Sequence, residues 1–543
     1  MKRIGSWLLA IVLAISLAVP ASASFSDVPE ESALAAEVQK AVDYGLMNGY
    51  TETHFGYSDY MTRAQFVAVL VRMMGWEPME PAKASFMDVP VNHRWYAAIE
   101  TALANDVLST GKNFRPSDPV TRGEMAEMLV RALGLKSSAA MAEQVCSLPF
   151  TDVTQRKGYI AVAYAIGMTK GTSETTFAPD ANATRAQAAA MLVRIYEKMQ
   201  TKLDYVHSFY AISSYSQLDY AKGMNAVSAG WSRMTWNGEE ALLSTTSADG
   251  NEYFIPSDYQ SVTRYLDNRD IDLQLNVFMD TSGGLAEMLA SENGRAQAVE
   301  QIVNELQVEY QTIGYNPYDG VTIDFEGLRA AQSADFNAFL EALAAEVHAM
   351  EKTLYVCVSP VLTTGAYYDG YDYRTIGALA DKVILMAYDY DSRDLGEFVG
   401  TEFYKTAAPA PMDQVFLSLM AITDVNTGVE DHSKVVLGFS SKSTAWQIDE
   451  NGKLLSGTPL YPDTKTVYER LKQRDTITGW SNEYQMPYAI YSTDTGERYF
   501  LWYDTAKPRV SAAKLLGVTG ISIWRLGTVP MDSSWNWAFL LPN

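Results

Sequence analysis

A short stretch of alternating polar and apolar residues carries the side chains best suited to chemistry. Residues 318–327 read Tyr-Asp-Gly-Val-Thr-Ile-Asp-Phe-Glu-Gly, so that Thr322, Asp324 and Glu326 are each two positions apart. Alternate residues of a β-strand share one face, which places successive Cα atoms of this set about 6.6 Å apart. Two carboxylates that face one cavity can hold a proton between them, and the raised pKa of one carboxyl suits it to general acid catalysis.

The spacing by itself leaves the kind of chemistry open. The side chains can close to the ~5 Å of a conventional nucleophile and acid pair, so the spacing selects no single mechanism. A structural alternative is a buried carboxylate pair satisfied by backbone groups or arginine, but two unused acids inside a barrel cost several kcal/mol. We favour the catalytic interpretation because active sites collect at the C-terminal ends of barrel strands.

Composition excludes several other classes of function. The 543 residues carry a formal net charge of −23 with a pI of about 4.7, and no run of Lys and Arg forms the basic stripe that nucleic-acid binding needs. The five histidines lack metal-ligand spacing and no glycine-rich phosphate loop occurs, so we expect no metal and no cofactor. Cys146 and Cys357 fall in different predicted domains, which argues against a disulfide framework.

The C-terminal part alternates strand-like and helix-like segments from about residue 203. Helical patterns such as 296–310, 334–351 and 505–516 separate short β-branched runs, as in a parallel (β/α)8 TIM barrel. Residues 448–500 are too long for a loop and predict a small α+β insertion before the last strand. Its Trp480, Tyr484, Tyr488 and Tyr491 either stack on a ligand or fill a core. The runs predicted as strands are 207–212, 224–229, 273–278, 320–325, 354–358, 382–388, 434–439 and 520–524.

The N-terminal part repeats itself three times at a period of roughly 60 residues. Phe25-Ser-Asp-Val recurs as Phe86-Met-Asp-Val and Phe150-Thr-Asp-Val, and each copy continues to a Thr-Arg pair that opens an apolar helix. Thr at the N-cap with Gln or Glu three residues later is a capping box. Each repeat is therefore predicted as a helix, a loop and a helix, packed with the others into an all-α trimer of repeats.

These repeats resemble S-layer homology domains, which share the F-x-D-V opening, a G-x-x-x-G turn and a T-R-A-E helix start. The resemblance implies attachment to a secondary polymer of a bacterial cell wall, with the motif arginines Arg63, Arg122 and Arg185 as wall-polymer-binding residues. Two copies have Gln in place of Glu, and the second copy lacks the first glycine of its turn.

The first residues resemble an export signal. Lys2 and Arg3 precede an apolar stretch, and Ala21-Ser-Ala23 forms an A-x-A cleavage site. The apolar stretch is shorter than the ~20 residues of a membrane span, and no later segment is apolar enough to cross a bilayer. We therefore expect a secreted protein held at the bacterial cell surface.

The stretch around Glu326 resembles the D-G-x-D-x-D-x-E signature of family 18 glycoside hydrolases. The amino-acid sequences of residues 388–390 and 520–527 look most like those of the spore-cortex-lytic branch of this family. The resemblance implies a barrel that acts on polymers of N-acetylglucosamine. Thr322 departs from the pattern, which has Asp or Asn there, and cannot carry the charge that helps cycle a proton on Asp324.

The resemblance also implies a role for each matching residue. Glu326 is the general acid, Asp324 orients the N-acetyl group, Tyr388 donates to its carbonyl, and the nucleophile is the acetamide oxygen of the substrate. The remaining residues are implied to contact the substrate: Asp319, Thr322, Met386, Asp389 and Trp524.

Together these features predict a multidomain hydrolase of β-1,4 bonds next to N-acetylglucosamine, with peptidoglycan favoured as substrate. A chitinase of the same family and a non-catalytic carbohydrate-binding or structural S-layer protein remain as alternatives. The predicted boundaries are a signal peptide at 1–23, repeats at 24–84, 85–148 and 149–202, and a barrel at 203–543.

Overall fold

A computed structural model describes residues 25–362, 369–391 and 394–542. The predicted signal peptide lies outside the described residues. The chain divides into two compact units. The first contains the chain up to Leu103 together with Thr110–Thr121 and Ala181–Val193; the second contains Ala104–Ser109, Arg122–Asp180 and the chain from Arg194 onward.

The repeats are helical, as predicted, and the capping boxes form. The backbone N–H of Gln65 donates to the Thr62 hydroxyl while the Gln65 side chain accepts from the Thr62 N–H, and Thr184 and Gln187 make the same exchange. The helices of this region are α1 (Ala35–Asp43), α2 (Arg63–Met73), α3 (Tyr96–Ala104), α4 (Arg122–Ala132), α5 (Lys136–Val145), α6 (Lys157–Ala165) and α7 (Arg185–Gln200).

In the first unit, the segments that lead into α2, α4 and α7 meet in a closed cycle of backbone hydrogen bonds. The N–H of Met61 donates to the carbonyl of Ala183 at 3.0 Å, that of Ala183 to Val120 at 3.2 Å, and that of Val120 to Met61 at 2.8 Å. All three residues are fully buried. The cycle satisfies backbone groups that burial would otherwise leave unpaired, and it ties each repeat to the other two.

The Asp of each F-x-D-V opening holds the turn that follows the loop of its own repeat. Asp152 accepts from the N–H groups of Phe177 and Ala178 at 2.8 and 2.7 Å. Asp88 accepts from Phe114 and Arg115 in the same way. The N–H of Phe177 is the main cause that holds the pKa of Asp152 below its usual value. The motif thus has a structural function in each repeat.

The second unit holds a closed parallel barrel, as predicted. The strands are β1 (Tyr205–Tyr210), β2 (Ala226–Trp236), β3 (Ala241–Ser244), β4 (Asp272–Met279), β5 (Gly320–Phe325), β6 (Thr353–Val358), β7 (Lys382–Leu385), β8 (Val435–Ser440), β9 (Thr444–Ile448), β10 (Ile477–Ser481), β11 (Met486–Ser492), β12 (Arg498–Trp502), β13 (Gly520–Trp524), β14 (Met531–Asp532) and β15 (Trp535–Asn536).

The barrel strands follow the order β1-β13-β8-β7-β6-β5-β4-β2, and pairing of β1 with β2 closes the ring. All eight predicted runs form barrel strands. The sixth ends at Leu385, three residues before the predicted end, because the N–H groups of Ala387 and Tyr388 turn back to the carbonyls of Leu385 and Met386. The second continues beyond the prediction and pairs with the antiparallel β3.

Helices cover the outside of the barrel and connect its strands. The predicted helical patterns at 296–310, 334–351 and 505–516 overlap three of them. The helices are α8 (Tyr259–Asp267), α9 (Leu285–Ala290), α10 (Glu292–Glu305), α11 (Ser333–Ala349), α12 (Tyr373–Leu379), α13 (Met412–Ile422), α14 (Thr464–Lys472) and α15 (Lys507–Leu515).

The insertion before the last barrel strand is a four-stranded antiparallel sheet, in the order β10-β11-β12-β9, together with α14. Most of its aromatic side chains fill its own core. Tyr488 stacks on Phe500 with ring centroids 5.1 Å apart, and Tyr491 stacks on Tyr499 at 5.5 Å. Trp480 differs because 44% of its surface is exposed.

Within the second unit, helix α5 of the repeat region packs against the barrel helix α13. The Ser137 hydroxyl donates to the carbonyl of Glu483 at 2.6 Å, and Lys198 donates to the carbonyls of Ile166 and Leu515, each at 2.7 Å. These contacts join the helices of the repeat region that belong to the second unit to the barrel, by packing as well as by chain connectivity.

Candidate active site

The carboxylates of Asp324 and Glu326 lie at the C-terminal end of β5. Every residue of this strand is buried, and Asp324 is only 3% exposed. Glu326 follows the strand, is half-buried, and donates its backbone N–H to the carbonyl of Met279 at 2.8 Å. The strand therefore presents one carboxylate inside the barrel and the next at its mouth.

Burial raises the pKa of Asp324 to about 6, and the neighbouring Asn276 and Cys357 side chains only partly offset this effect. The Asn276 amide approaches Asp324 Oδ2 at 3.5 Å. A carboxyl group with this pKa exchanges its proton near neutral pH, which is a property that acid–base catalysis requires. Sequence reasoning did not single out Asn276 or Cys357, which come from neighbouring strands β4 and β6.

Thr322 lies deeper in the barrel and belongs to a chain of buried hydrogen bonds. Its hydroxyl lies 2.6 Å from that of Ser228, which is 2.8 Å from Nε2 of His207, and Nδ1 of His207 is 2.8 Å from the Ser522 hydroxyl. Burial lowers the pKa of His207 to about 3, so the ring is neutral. Thr322 is fully buried and its hydrogen-bond partner is Ser228, and contact of Thr322 with substrate stays a prediction.

Tyr388 is placed against the same carboxylates by the turn that follows β7. Burial, and then the charges of Asp324 and Asp389, hold the pKa of the Tyr388 hydroxyl well above its usual value. The hydroxyl therefore stays protonated and can donate a hydrogen bond. Asp389 is exposed, has a φ of 61°, and lies 3.6 Å from the ammonium group of Lys442.

Met386 and Trp524 form an apolar surface next to these polar groups. Both are half-buried and pack against one hydrophobic cluster inside the barrel, which includes Phe209 and Cys357. Trp524 ends β13, and its ring meets that of Phe209 edge-on at 5.0 Å. An aromatic face in this position can support the apolar side of a sugar ring.

Asp319 lies at the opposite end of β5 from Glu326. It precedes Gly320, and its carboxylate accepts from the N–H of Leu273 at 2.8 Å near the start of β4. Asp319 is five residue steps from Asp324 along the chain, a span of about 16 Å. Its carboxylate holds two strands together at the N-terminal end of the barrel, and substrate binding by Asp319 stays a prediction.

Tyr371 is a further residue that sequence reasoning missed. Its hydroxyl donates to the carbonyl of Phe325 at 2.6 Å, immediately before Glu326. Burial, followed by the carboxylates of Glu326 and Asp324, contributes to a raised pKa of this hydroxyl. No spacing rule connects Tyr371 to β5, since it lies in the loop between β6 and α12.

The three motif arginines each reach into a neighbouring repeat. The Nε–H groups of Arg63, Arg122 and Arg185 donate to the carbonyls of Phe114, Phe177 and Phe55 at 3.0, 3.0 and 2.9 Å. Each guanidinium also lies over the ring of its phenylalanine, at 4.8 to 4.9 Å from the ring centroid. Arg122 and Arg185 are buried, whereas Arg63 is half-buried. These contacts give the arginines a structural role, and polymer binding by them stays a prediction.

A parallel barrel with an acid pair at the C-terminal end of one strand, a protonated tyrosine and an aromatic floor defines a glycoside hydrolase. The profile of "Glycosyl hydrolases family 18" matches residues 204–528, and that of "S-layer homology domain" matches residues 24–67, 85–126 and 149–189. The chain belongs to glycosyl hydrolases family 18 and carries S-layer homology domains that point to attachment at the cell wall.

Individual relatives match only parts of the chain. It is 34% identical over 159 residues to exoglucanase XynX of Acetivibrio thermocellus, an alignment that covers 28% of this chain and 14% of that protein. It is 26% identical over 259 residues to YdhD of Bacillus subtilis strain 168, named for a proposed sporulation-specific glycosylase activity, covering 45% of this chain and 55% of that protein. The chain thus spans less than two thirds of the length of these relatives.

Among solved structures, the spore cortex-lytic enzyme SleL of Bacillus megaterium QM B1551 aligns with a TM-score of 0.46 at 16% identity, over 62% of this chain and 73% of that one. In the part of the chain that the structure describes, no helix combines the length and apolar character needed to cross a membrane.

Proposed function

We propose that this protein is a cell-wall-anchored hydrolase that cleaves β-1,4 bonds next to N-acetylglucosamine, with peptidoglycan as the favoured substrate. The observation that carries the proposal is the joint placement of Glu326 at the barrel mouth, Asp324 buried behind it, and the protonated hydroxyl of Tyr388 beside both. The barrel thereby offers an acid, a proton-holding carboxyl group and a hydrogen-bond donor in one place.

In the proposed reaction, Glu326 protonates the glycosidic oxygen and later activates a water molecule. The substrate's own acetamide oxygen attacks the anomeric carbon, which gives an oxazolinium intermediate and retention of configuration. Asp324 holds the acetamide nitrogen, and Tyr388 donates to the acetamide carbonyl. Met386 and Trp524 support the sugar, while Asp389 holds its polar edge.

The burial of Asp324 supports this mechanism over direct attack by a carboxylate. A nucleophile must be ionised and must reach the anomeric carbon. Asp324 is 3% exposed, and burial favours its protonated form. Such a carboxyl is better suited to exchange a proton with an acetamide group than to form a covalent bond with a sugar.

Peptidoglycan is favoured over chitin because the S-layer homology domains match proteins of the bacterial surface, where peptidoglycan is the abundant polymer containing N-acetylglucosamine. The similarity to YdhD points in the same direction. The anchor is proposed to bind a secondary cell-wall polymer, and residues 1–23 are proposed to direct export. A chitinase of the same family remains the alternative.

The test is product analysis with the full chain, as wild type, as Glu326→Gln, and as Glu346→Gln, an exposed control on the outer helix α11. Each is incubated with peptidoglycan and with chitin oligomers, and products are identified by mass spectrometry. We expect muropeptides with N-acetylglucosamine at the new reducing end from wild type and Glu346→Gln only. Binding without products from either polymer would overturn the enzymatic proposal in favour of a carbohydrate-binding protein.

The mechanism has its own test. A substrate whose N-acetyl group at the cleavage site has been removed lacks the internal nucleophile, so wild type should not cleave it. Cleavage of the deacetylated substrate at a similar rate would instead indicate a carboxylate nucleophile.

A further inference from the structure

Arg525 occupies the rim of the barrel directly after Trp524. Its backbone follows the last residue of β13, and its Nη1 donates to the hydroxyl of Ser213 at 2.8 Å and approaches that of Ser214 at 3.4 Å. Both serines follow the C-terminal end of β1. The guanidinium therefore lies between the ends of two adjacent barrel strands, at the same end of the barrel as Glu326.

Arg525 has no carboxylate partner among the described residues, whereas two other cations near the C-terminal ends of the strands have one. Arg233 lies 3.6 Å from Asp280, and Lys442 lies 3.1 Å from the buried Asp391. Within the described residues, no Asp or Glu oxygen comes within 4.0 Å of the Arg525 guanidinium. Arg525 is half-buried, and desolvation lowers its pKa. Among the described residues, the hydrogen-bond partners of Arg525 are neutral hydroxyl and carbonyl groups, so its positive charge is not compensated by them and can bind an anion.

Tyr253 connects this rim to the catalytic carboxylates. Its ring lies next to Gly230 of β2, near the end of β1. A Cβ placed on Gly230 would be 3.8 Å from Tyr253 Cδ1 and 3.6 Å from the carbonyl of Tyr210, the last residue of β1. The ring also stacks on Phe278 at 4.7 Å. Burial raises the pKa of Tyr253 to about 12, and Asp324 and Glu326 add to the effect. Arg525 and the acid pair lie at the same C-terminal end of the barrel strands, and Tyr253 interacts electrostatically with both.

We propose that Arg525 is a binding residue for a carboxylate carried by the substrate, on a sugar next to the N-acetylglucosamine that is cleaved. The inference rests on the proposed function. In peptidoglycan, N-acetylglucosamine alternates with N-acetylmuramic acid. An N-acetylglucosamine bound at the cleavage site therefore has an N-acetylmuramic acid on each side of it in the bound strand. Chitin has no carboxylate. Arg525 is thus the side chain by which this cleft distinguishes the two polymers, because a guanidinium can hold a carboxylate through two parallel hydrogen bonds.

The carboxylate can come from two sources in peptidoglycan. A strand whose peptides have been removed by an amidase exposes the lactyl carboxylate of muramic acid, whereas an intact strand presents only the carboxylates of its peptide. The lactyl carboxylate and the peptide carboxylate present the same chemical group to Arg525. Amidase-treated and intact strands, used as separate substrates, distinguish them.

The experiment compares kcat/KM for the full-length wild type, Arg525→Met and Arg525→Lys on intact peptidoglycan, amidase-treated strands and chitin oligomers. Arg269→Met, at an exposed position in the turn after α8, controls for loss of one positive charge. We expect Arg525→Met to lower kcat/KM about 10- to 100-fold on at least one carboxylate-bearing substrate, because the loss of a charge-assisted hydrogen bond lowers affinity by about this factor. On chitin, which has no carboxylate, the loss should be less than about twofold. Arg525→Lys should recover part of the loss. Selective loss on amidase-treated strands assigns the lactyl group, and selective loss on intact strands assigns the peptide.

Equal losses on chitin and on the carboxylate-bearing substrates, or no loss on any of them, would overturn the assignment. If wild type cleaves none of the polymers, the proposed function fails separately, and equilibrium binding still tests Arg525. In the Glu326→Gln background, calorimetry then compares N-acetylmuramic acid and a muramyl peptide with N-acetylglucosamine, with and without Arg525→Met. Retention of the preference for a carboxylate-bearing ligand after Arg525→Met would overturn the inference, as would the absence of a preference for both of these ligands with Arg525 present.

Discussion

The ring of Tyr388 occupies the space that a side chain on Gly438 would need. A Cβ placed on Gly438 would lie 2.8 Å from Tyr388 Cε1 and 2.9 Å from the carbonyl of Leu385. Gly438 lies on β8, which pairs with β7, so the absence of a side chain on one strand sets the position of the tyrosine that follows its neighbour.

Replacement of Gly438 by alanine should therefore lower activity by moving Tyr388. A displacement of this kind costs on the order of 10²-fold in catalysis when it misplaces a catalytic group. We expect kcat/KM for Gly438→Ala to fall by about that factor while circular dichroism stays native-like. Gly111→Ala, where the added Cβ meets nothing within 4 Å, serves as control.

The two residues should also act as one unit. If Gly438→Ala acts through Tyr388, its effect in a Tyr388→Phe background should be much smaller than in wild type. Fully additive losses in the double variant would contradict the steric explanation.

Asp324 makes the stability of the barrel dependent on pH. Its pKa is about 6 in the folded chain against 3.8 for an unperturbed Asp. Between these values the unfolded state binds fewer protons than the folded state, so this group lowers the free energy of unfolding as pH rises from about 4 to about 6. A difference of about two pKa units corresponds to about 3 kcal/mol.

Asp324→Asn removes this titration and should stabilise the protein relative to wild type increasingly from pH 4 to pH 7. Urea unfolding followed by tryptophan fluorescence at both pH values measures the difference. Asp494→Asn, in an exposed turn, should show no such trend. A constant difference between Asp324→Asn and wild type across this range would show that burial of Asp324 does not control stability.

The buried hydroxyl of Thr322 should contribute to stability through Ser228. Thr322→Val keeps the shape of the side chain but removes its hydrogen bond to Ser228, and we expect a loss of about 1–2 kcal/mol in the free energy of unfolding. Thr322→Ser retains the hydroxyl and should recover the hydrogen-bond contribution, apart from the cost of the missing methyl group. Equal stability of Thr322→Val and wild type would show that the chain from His207 to Thr322 adds nothing.

Arg185 should stabilise the repeats more than Arg63 does. Its guanidinium donates to the carbonyls of Phe55 and Asn48 and lies 4.4 Å from the centroid of the Tyr50 ring, and the residue is 5% exposed. Arg185→Met removes the donor to the carbonyl of the buried Phe55 and to that of the exposed Asn48, and should cost about 3 kcal/mol. Arg63→Met, at a half-buried position, should cost less.

Thermal unfolding measures the two arginine variants, and sedimentation with purified cell walls tests the predicted polymer contact. Loss of wall binding by Arg63→Met with unchanged stability would support direct contact with the polymer. Wall binding that falls only in step with stability would assign a purely structural role to the arginines.

Much of the architecture could be predicted because it depends on local patterns. Alternation of β-branched runs with helical segments located the eight barrel strands, and the Thr-Arg-x-Gln boxes located helix starts that the structure confirms at Thr62 and Thr184. The predicted end of β7 lies three residues too late because residues 386–388 have a strand-like composition. The chain turns there through hydrogen bonds between backbone groups, which composition does not reveal.

The acid pair on β5 could be predicted from residue order alone, since a period of two residues places Asp324 and Glu326 on one face. Residue order could not determine which residues of the motif reach the cleft. Asp319 and Thr322 share the motif, yet one lies at the far end of the strand and the other in a buried hydrogen-bond chain. Their positions follow from the assembled barrel, because the depth of a residue in it depends on the stagger of neighbouring strands.

The tertiary structure also brought together residues far apart in the chain. Tyr371 supports the end of β5 from a loop, His207 contacts Ser522 on the adjacent strand β13, and α5 packs on α13. The partners of buried polar groups come from whichever element folds against them, and one sequence records no spacing for such contacts. Local periodicity therefore specified the elements and the catalytic strand, while packing between elements decided each neighbour, pKa and accessible surface.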